Sequence, residues 1–238
     1  MIIERRRLFF FKTAFVVLDE RADSIDPRPY SQLTIVSHSP LSIPHARLRE
    51  KTTGIIDLKG SPEELLQTFS KTTRNEISRS IREGQIVRHS PHVTKEGYAL
   101  YRRFEKSIGR RPFARAATRG CEEILIYDGK RPIAGVFYYP SRPITRIRSI
   151  FSARKEKNLS STTVSWAARR SIYEVCCSEQ SARSEGVDLA SINLTDKAKK
   201  GISDFKLSFS PRITQEYMYV HSSPVYAFFE RIRRLLRS

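Results

Sequence analysis

Residues 61 to 84 run SPEELLQTFSKTTRNEISRSIREG, the best-signalled stretch of a 238-residue chain. Ser61 stands where an N-cap belongs, Pro62 suits the first helical position, and Glu64 completes an S-x-x-E capping box. Leu65, Phe69, Thr73, Ile77 and Ile81 then recur at three- and four-residue spacing. That spacing predicts one helix with an apolar face, stopped by Gly84. The opposite face carries Lys71, Arg74, Arg79 and Arg82.

Working outward, the N-terminal side reads as β: Leu8 to Leu18, Gln32 to Ser37 and Gly54 to Leu58, parted by Pro- and Ser-rich connections. On the C-terminal side a second helix is expected from Thr94 to Ile108, with Tyr98, Tyr101 and Phe104 on one flank. A meander follows: Glu123 to Tyr127, the hairpin turn Asp128-Gly129, Pro132 to Tyr139, and Ile144 to Phe151. After it come a long helix (Thr162 to Ala182), a strand (Val187 to Ile192), a short helix (Lys197 to Phe205) and a last strand (Ile213 to Val220). A basic amphipathic helix, Pro224 to Leu236, ends the sequence. This order predicts a mixed α/β (α+β) layer fold: a mostly antiparallel mixed sheet flanked by helices, with one late parallel crossover. The expected organisation is one domain over residues 1–222, whose first 50 residues form a β-rich extension, followed by the helix at 223–238.

Forty-three Lys and Arg against twenty-five Asp and Glu give a formal charge of +18, so the expected partner is anionic. Nucleic acid, a phosphorylated donor, a nucleotide-linked sugar and an acidic membrane surface all meet that requirement. Cys121, Cys176 and Cys177 are odd in number, and two are adjacent, which reads as reduced thiols in a cytoplasmic protein. The N-terminus is basic and then apolar, but Lys12 and the β-branched and aromatic run to Val17 suit a buried strand better than a signal peptide. No apolar stretch approaches the roughly 20 residues of a membrane span. The tail sets Phe228, Phe229, Ile232, Leu235 and Leu236 among Arg231, Arg233, Arg234 and Arg237. Packing of that stripe onto the domain is the first reading, and peripheral contact with an anionic membrane at its inner face is the second. The five histidines are scattered, no Cys/His spacing matches a zinc site, and neither a G-x-x-x-x-G-K-S/T loop nor a G-x-S-x-G elbow is present. No metal is expected.

Two blocks carry a family likeness. Ser70-Lys71-Thr72-Thr73-Arg74-Asn75-Glu76-Ile77-Ser78-Arg79-Ser80, followed by Gly84, resembles the helix of Fem-type proteins of the GNAT superfamily, where K-x-x-R-x-x-I-x-x-A precedes a Gly and a strand. Gly201-Ile202-Ser203-Asp204-Phe205-Lys206-Leu207-Ser208-Phe209 resembles the same family's G-I-x-x-F-K-x-x-F segment. The likeness covers roughly residues 50 to 220 and implies a single GNAT-like acyltransferase domain. Where members commonly carry a Gly-Gly turn, this chain has Ser191-Ile192-Asn193-Leu194-Thr195-Asp196, and Ser80 stands where Ala is frequent. The R/Q-x-x-G-x-G/A pyrophosphate loop of common acetyl-CoA enzymes is absent from the sequence.

Acyl transfer to an amine requires alignment of amine and ester or thioester, removal of a proton and stabilisation of an oxyanion. The resemblance implies that Phe205-Lys206 lies beside the reacting centre, with Lys206 offering positive charge to the donor or the oxyanion. Arg74 and Arg79 are candidate phosphate grips and Asn75 a candidate amide-orienting group, though a solvated helix face explains all three equally. Tyr138 is the candidate proton donor to the leaving group, although strand packing is the first reading of such a tyrosine, and Asp196, after a strand end, is a candidate base whose first reading is loop capping. The implied donor is acyl-CoA (acetyl-CoA foremost) or aminoacyl-tRNA, and the acceptor an amine on an amino sugar or cell-envelope precursor, nucleotide-linked sugars included. The competing expectation is a non-catalytic basic protein of the same fold that holds RNA or DNA through phosphate contacts.

Overall fold

The computed structural model describes the chain apart from residues 8–10, 19–21, 157, 197–199 and 236–238. Ten strands form one mixed sheet: β1 (Ile2–Arg7), β2 (Phe11–Val17), β3 (Gln32–Ser37), β4 (Arg47–Asp57), β5 (Ile86–Ser90), β6 (Glu122–Asp128), β7 (Arg131–Tyr139), β8 (Ile144–Ser152), β9 (Gly186–Ser191) and β10 (Arg212–Ser222). Their spatial order is β1-β2-β3-β10-β4-β9-β8-β7-β6-β5. The expected strands are all present except Leu8 to Phe10, which lie outside the described residues. Unexpected are β1, whose run of Arg5, Arg6 and Arg7 hides any alternation, β5 between the first two expected helices, and the early start of β4 at Arg47. Among the described residues parallel pairing occurs at β8–β9, as expected, and also at β2–β3.

Among the described residues six α-helices accompany the sheet: α1 (Pro62–Thr68), α2 (Lys71–Arg82), α3 (Lys95–Ser107), α4 (Ser161–Ser181), α5 (Lys200–Leu207) and α6 (Pro224–Leu235). The single helix expected from Ser61 to Gly84 is corrected to two. Phe69 is extended, and Ser70 caps a new helix by accepting from Thr73 N at 3.3 Å. The break turns the Phe69 ring edge-on to Phe209 at 5.2 Å, a contact that an unbroken helix would forgo. The Ser61–Glu64 capping box closes as expected, and Gly84 ends α2 at φ +70°.

Alternation along the central strands gives a core cluster on each face of the sheet, and a third, of Ala14, Val16, Leu33, Ile35 and Tyr219, lies among the N-terminal strands and β10. Leu65, Phe69, Ile77, Val164 and Ile172 from α1, α2 and α4 pack on Ile124, Val136 and Tyr138. Leu100 and Tyr101 of α3 pack on Leu125, Phe137 and Tyr139. Tyr138 and Tyr139 therefore face opposite sides, as their adjacency in a strand requires. The N-terminal strands curl over the α3 side, where Ile3, Val17 and Val36 join the second cluster and Phe15 meets Tyr139 at 5.8 Å. None of the three cysteines forms a disulfide among the described residues, and Cys121 and Cys176 are buried. The tail helix departs from its first reading. Tyr226 packs on Phe11, but the apolar residues on the other side of α6 face away from the domain.

Candidate active site

β8 and β9 run side by side for only three pairs, Ile144–Gly186, Thr145–Val187 and Arg146–Asp188. β8 continues to Ser152 and β9 to Ser191, and among the described residues the two do not pair again. Two local irregularities separate them. Phe137 faces Ser149 while Tyr138 faces Ile147, so Arg148 is an extra residue that bends β8. Ala190 adopts φ +60°, its N–H held by Asp188 Oδ1 at 2.7 Å, which turns the end of β9. The opening is a cleft of about 800 Å³ walled by β8, β9, the start of α4, α5 and the end of α3. Ligands of open α/β sheets bind at such carboxyl-end crevices between strands.

A buried ionic group underlies the cleft. Asp188 accepts hydrogen bonds from Arg146, the Thr53 hydroxyl and the Ala190 amide, and pairs with His38 Nε2 at 3.2 Å. Arg146 also pairs with Glu216 at 2.7 Å. Burial alone would raise the Asp188 carboxyl, but Arg146, His38 and Thr53 together hold it at about 2. Lys206, on the inner side of α5, lines the cleft and donates to Ser191 O at 2.9 Å. Burial lowers its ammonium to about 8; Arg146 acts in the same direction, while Asp188 and Glu216 oppose. Two basic side chains, Arg146 and Lys206, and two acidic ones, Asp188 and Glu216, are buried together, so their formal charges balance as burial demands.

The walls are basic. Arg110, Arg148, Arg154, Arg169 and Lys206 line the cleft against two acids, Glu105 and Asp204. Arg148 lies over the Phe113 ring at 4.6 Å, and Arg169 over Phe205 at 5.1 Å. Asp204 is tied to Lys200 at 3.2 Å on the exposed side of α5.

Of the residues singled out from sequence, Lys206 and Phe205 line the cleft together, and the others do not. Arg74 donates to Gln67 O at 2.7 Å and Phe69 O at 3.0 Å, the carbonyls that end α1. Asn75 is exposed, and Arg79 lies over the Trp166 ring at 5.6 Å. Tyr138 is wholly buried; its hydroxyl donates to Glu122 Oε2 at 2.9 Å and meets His89 Nε2 at 2.8 Å. Burial and Glu122 push its phenol far up, which suits packing rather than proton transfer. Asp196 sits in a turn folded around Asn193, whose Oδ1 accepts from Asp196 N at 2.8 Å and Thr195 N at 3.1 Å. That side chain does the turn-making expected of the missing glycines.

The α2 motif serves the cleft through other residues. Thr73 Oγ1 accepts from Arg169 Nε at 3.3 Å and donates to Ser208 Oγ at 2.8 Å. Glu76 Oε2 accepts from Arg169 Nη1 at 3.0 Å and Ser165 Oγ at 2.9 Å. The two motif blocks thus meet at Thr73 and Ser208, and the first holds Arg169 on the cleft wall. Arg146, Asp188 and Glu216 escaped the sequence reading, although a charge between Thr145 and Ile147, or between Val187 and Leu189, interrupts a strand that is otherwise apolar.

No protein-family model matches the sequence, and none of the curated proteins matches it. Among solved structures, FemX is similar over 96% of this chain and 86% of its own, with a TM-score of 0.61 and 10% identity. The C-terminal domain (DUF2156) ascribed to a lysylphosphatidylglycerol synthetase of Agrobacterium fabrum is similar over 95% and 82%, with a TM-score of 0.53 and 13% identity. L-PGS from Bacillus licheniformis is similar over 90% and 80%, with a TM-score of 0.53 and 13% identity. The chain has the fold of these proteins, FemX among them, as the Fem-type likeness of its two motifs led us to expect.

Proposed function

We propose that the protein is an N-acyltransferase that moves an acyl or aminoacyl group from a CoA thioester or a tRNA ester onto an amine. The observation that carries this reading is the basic cleft between the parting strands β8 and β9, with Lys206 buried in its wall. A polyanionic donor matches walls that carry five cations against two acids. FemX and the lysylphosphatidylglycerol synthetases, which share the fold, support aminoacyl chemistry by analogy. The acceptor we propose is an amine of an amino sugar or cell-envelope precursor.

In this scheme the neutral amine attacks the carbonyl carbon, a tetrahedral oxyanion forms, and collapse expels the thiolate or ribose alkoxide, which takes up the proton that the amine nitrogen loses. Lys206 has three donors, one of them given to Ser191 O. The others face the charge that develops on the carbonyl oxygen, where a preorganised donor is worth most. Arg169, fixed by Thr73 and Glu76, and Arg148 hold donor phosphates. Tyr138 and Asp196 have no part in this scheme.

Thermal stability against acetyl-CoA, longer acyl-CoAs, deacylated tRNA and nucleotide-sugars identifies the donor, and release of CoA or tRNA with an added amine reads turnover. Lys206→Ala is expected to lower turnover by about 10²-fold or more. Because the ammonium is lowered to about 8, kcat/KM should fall as pH rises through that value, and Lys206→Arg should move the falling limb to higher pH. Stabilisation by no donor, with no transfer to any amine, would defeat the reading, and wild-type turnover from Lys206→Ala would remove Lys206 from it. Stabilisation by tRNA alone, without transfer, would favour the RNA-binding alternative.

A further inference from the structure

Helix α6 touches the rest of the protein through Tyr226 and through Phe229, whose ring stands edge-on to Phe11 at 5.4 Å. Tyr226 is 3% exposed, its ring 5.2 Å from Phe11, and its hydroxyl donates to Glu230 at 3.4 Å. Across the helix, Val225 is 61%, Phe228 63% and Leu235 70% exposed, with Ile232 and half of Phe229 open beside them. At 3.6 residues per turn these five positions span about 120° of arc, centred well away from Tyr226. A contiguous apolar face of this kind left in water marks an interaction surface.

Charge decides what covers it. From Pro224 onward the sequence holds four arginines, Arg231, Arg233, Arg234 and Arg237, against the single acid Glu230, which is turned toward Tyr226. A second copy of the chain would bring the same +18 to the contact and be repelled. An anionic lipid surface supplies both an apolar layer and negative headgroups. No described helix is long and apolar enough to cross a membrane, so the fitting geometry is in-plane.

We propose that α6 docks the protein on anionic lipid, with Val225, Phe228, Ile232 and Leu235 seated among the acyl chains and Arg231 among the headgroups. The proposal is independent of the acyl-transfer reading. Its test is co-sedimentation of the full chain with vesicles of phosphatidylcholine alone or with about one quarter phosphatidylglycerol. The protein should partition onto the anionic vesicles, less so in high salt, and barely onto the neutral ones. Phe228→Gln with Ile232→Gln, both at exposed positions, should keep the wild-type Tm and lose at least about tenfold in partitioning. Ile81→Gln, an exposed apolar residue on α2, should change nothing. Equal partitioning onto the two vesicle types, or wild-type partitioning by the double variant, overturns the proposal. So does a dimer in analytical ultracentrifugation that the double variant dissolves while vesicles stay unbound, since the stripe is then a self-association surface.

Discussion

Glu123 shows how far a single buried group here departs from its aqueous behaviour. Its Oε1 accepts from the Thr94 hydroxyl at 2.7 Å, its Oε2 is buried without a hydrogen bond, and a Cβ on Gly97 would fall 1.8 Å from that oxygen. Burial raises the carboxyl to about 7, and the Thr94 hydrogen bonds only partly oppose it. A folded pKa above the unfolded one means that the native state holds the proton more tightly. The stability this contributes is full below about 4.5 and is lost as pH rises through about 7. Glu123→Gln, which cannot ionise, should match the wild type near pH 4.5 and exceed it at pH 8 by up to about 3 kcal/mol. Denaturant melts at the two pH values check this, and a pH-independent difference would refute it. At the same scale, Lys206 was legible because a motif pointed to it, whereas Arg169 was one arginine among many until Thr73 and Glu76, more than ninety residues earlier, fixed its guanidinium.

Elements were easier to read than their joints. The capping box at Ser61, the stop at Gly84 and the turn at Asp128-Gly129 are local chemistry, visible in neighbouring residues. The break at Phe69 was not, since an unbroken helix keeps the same apolar spacing through Thr73 and Ile77. What ends α1 lies far along the chain: Phe209 receives the Phe69 ring, and Ser208 O accepts from Ser70 N at 2.9 Å. The Ser70 cap therefore joins α2 to the segment just after α5, the helix that carries Lys206. Ser70→Ala removes the side-chain acceptor for Thr73 N and should cost about 1 kcal/mol in urea denaturation. A loss under a few tenths would mean that the backbone bond to Ser208 holds the joint unaided.

Across the whole molecule, charge and topology act on the same place. The sheet parts where a parallel pair gives out after Arg146 and Asp188, and the positive side chains converge on that gap. Neither motif predicts this convergence, because Arg110, Arg148, Arg154 and Arg169 come from three separate stretches of sequence. Arg110, Arg148 and Arg154 are exposed at the rim, where salt reaches them, while Lys206 is buried below, where salt does not. The Debye length shrinks from about 10 Å at 0.1 M to about 3 Å at 1 M ionic strength, so the rim should lose its pull on a polyanion as salt is added. The KM for a CoA- or tRNA-borne donor is expected to rise several-fold to about tenfold over that range, with kcat at saturating donor nearly constant. An acyl-pantetheine donor, which lacks the phosphates, should show almost no change. A flat KM for the phosphorylated donor would mean that the rim arginines do not gather it. A parallel fall in kcat would place the salt-sensitive contact at the reacting carbonyl instead.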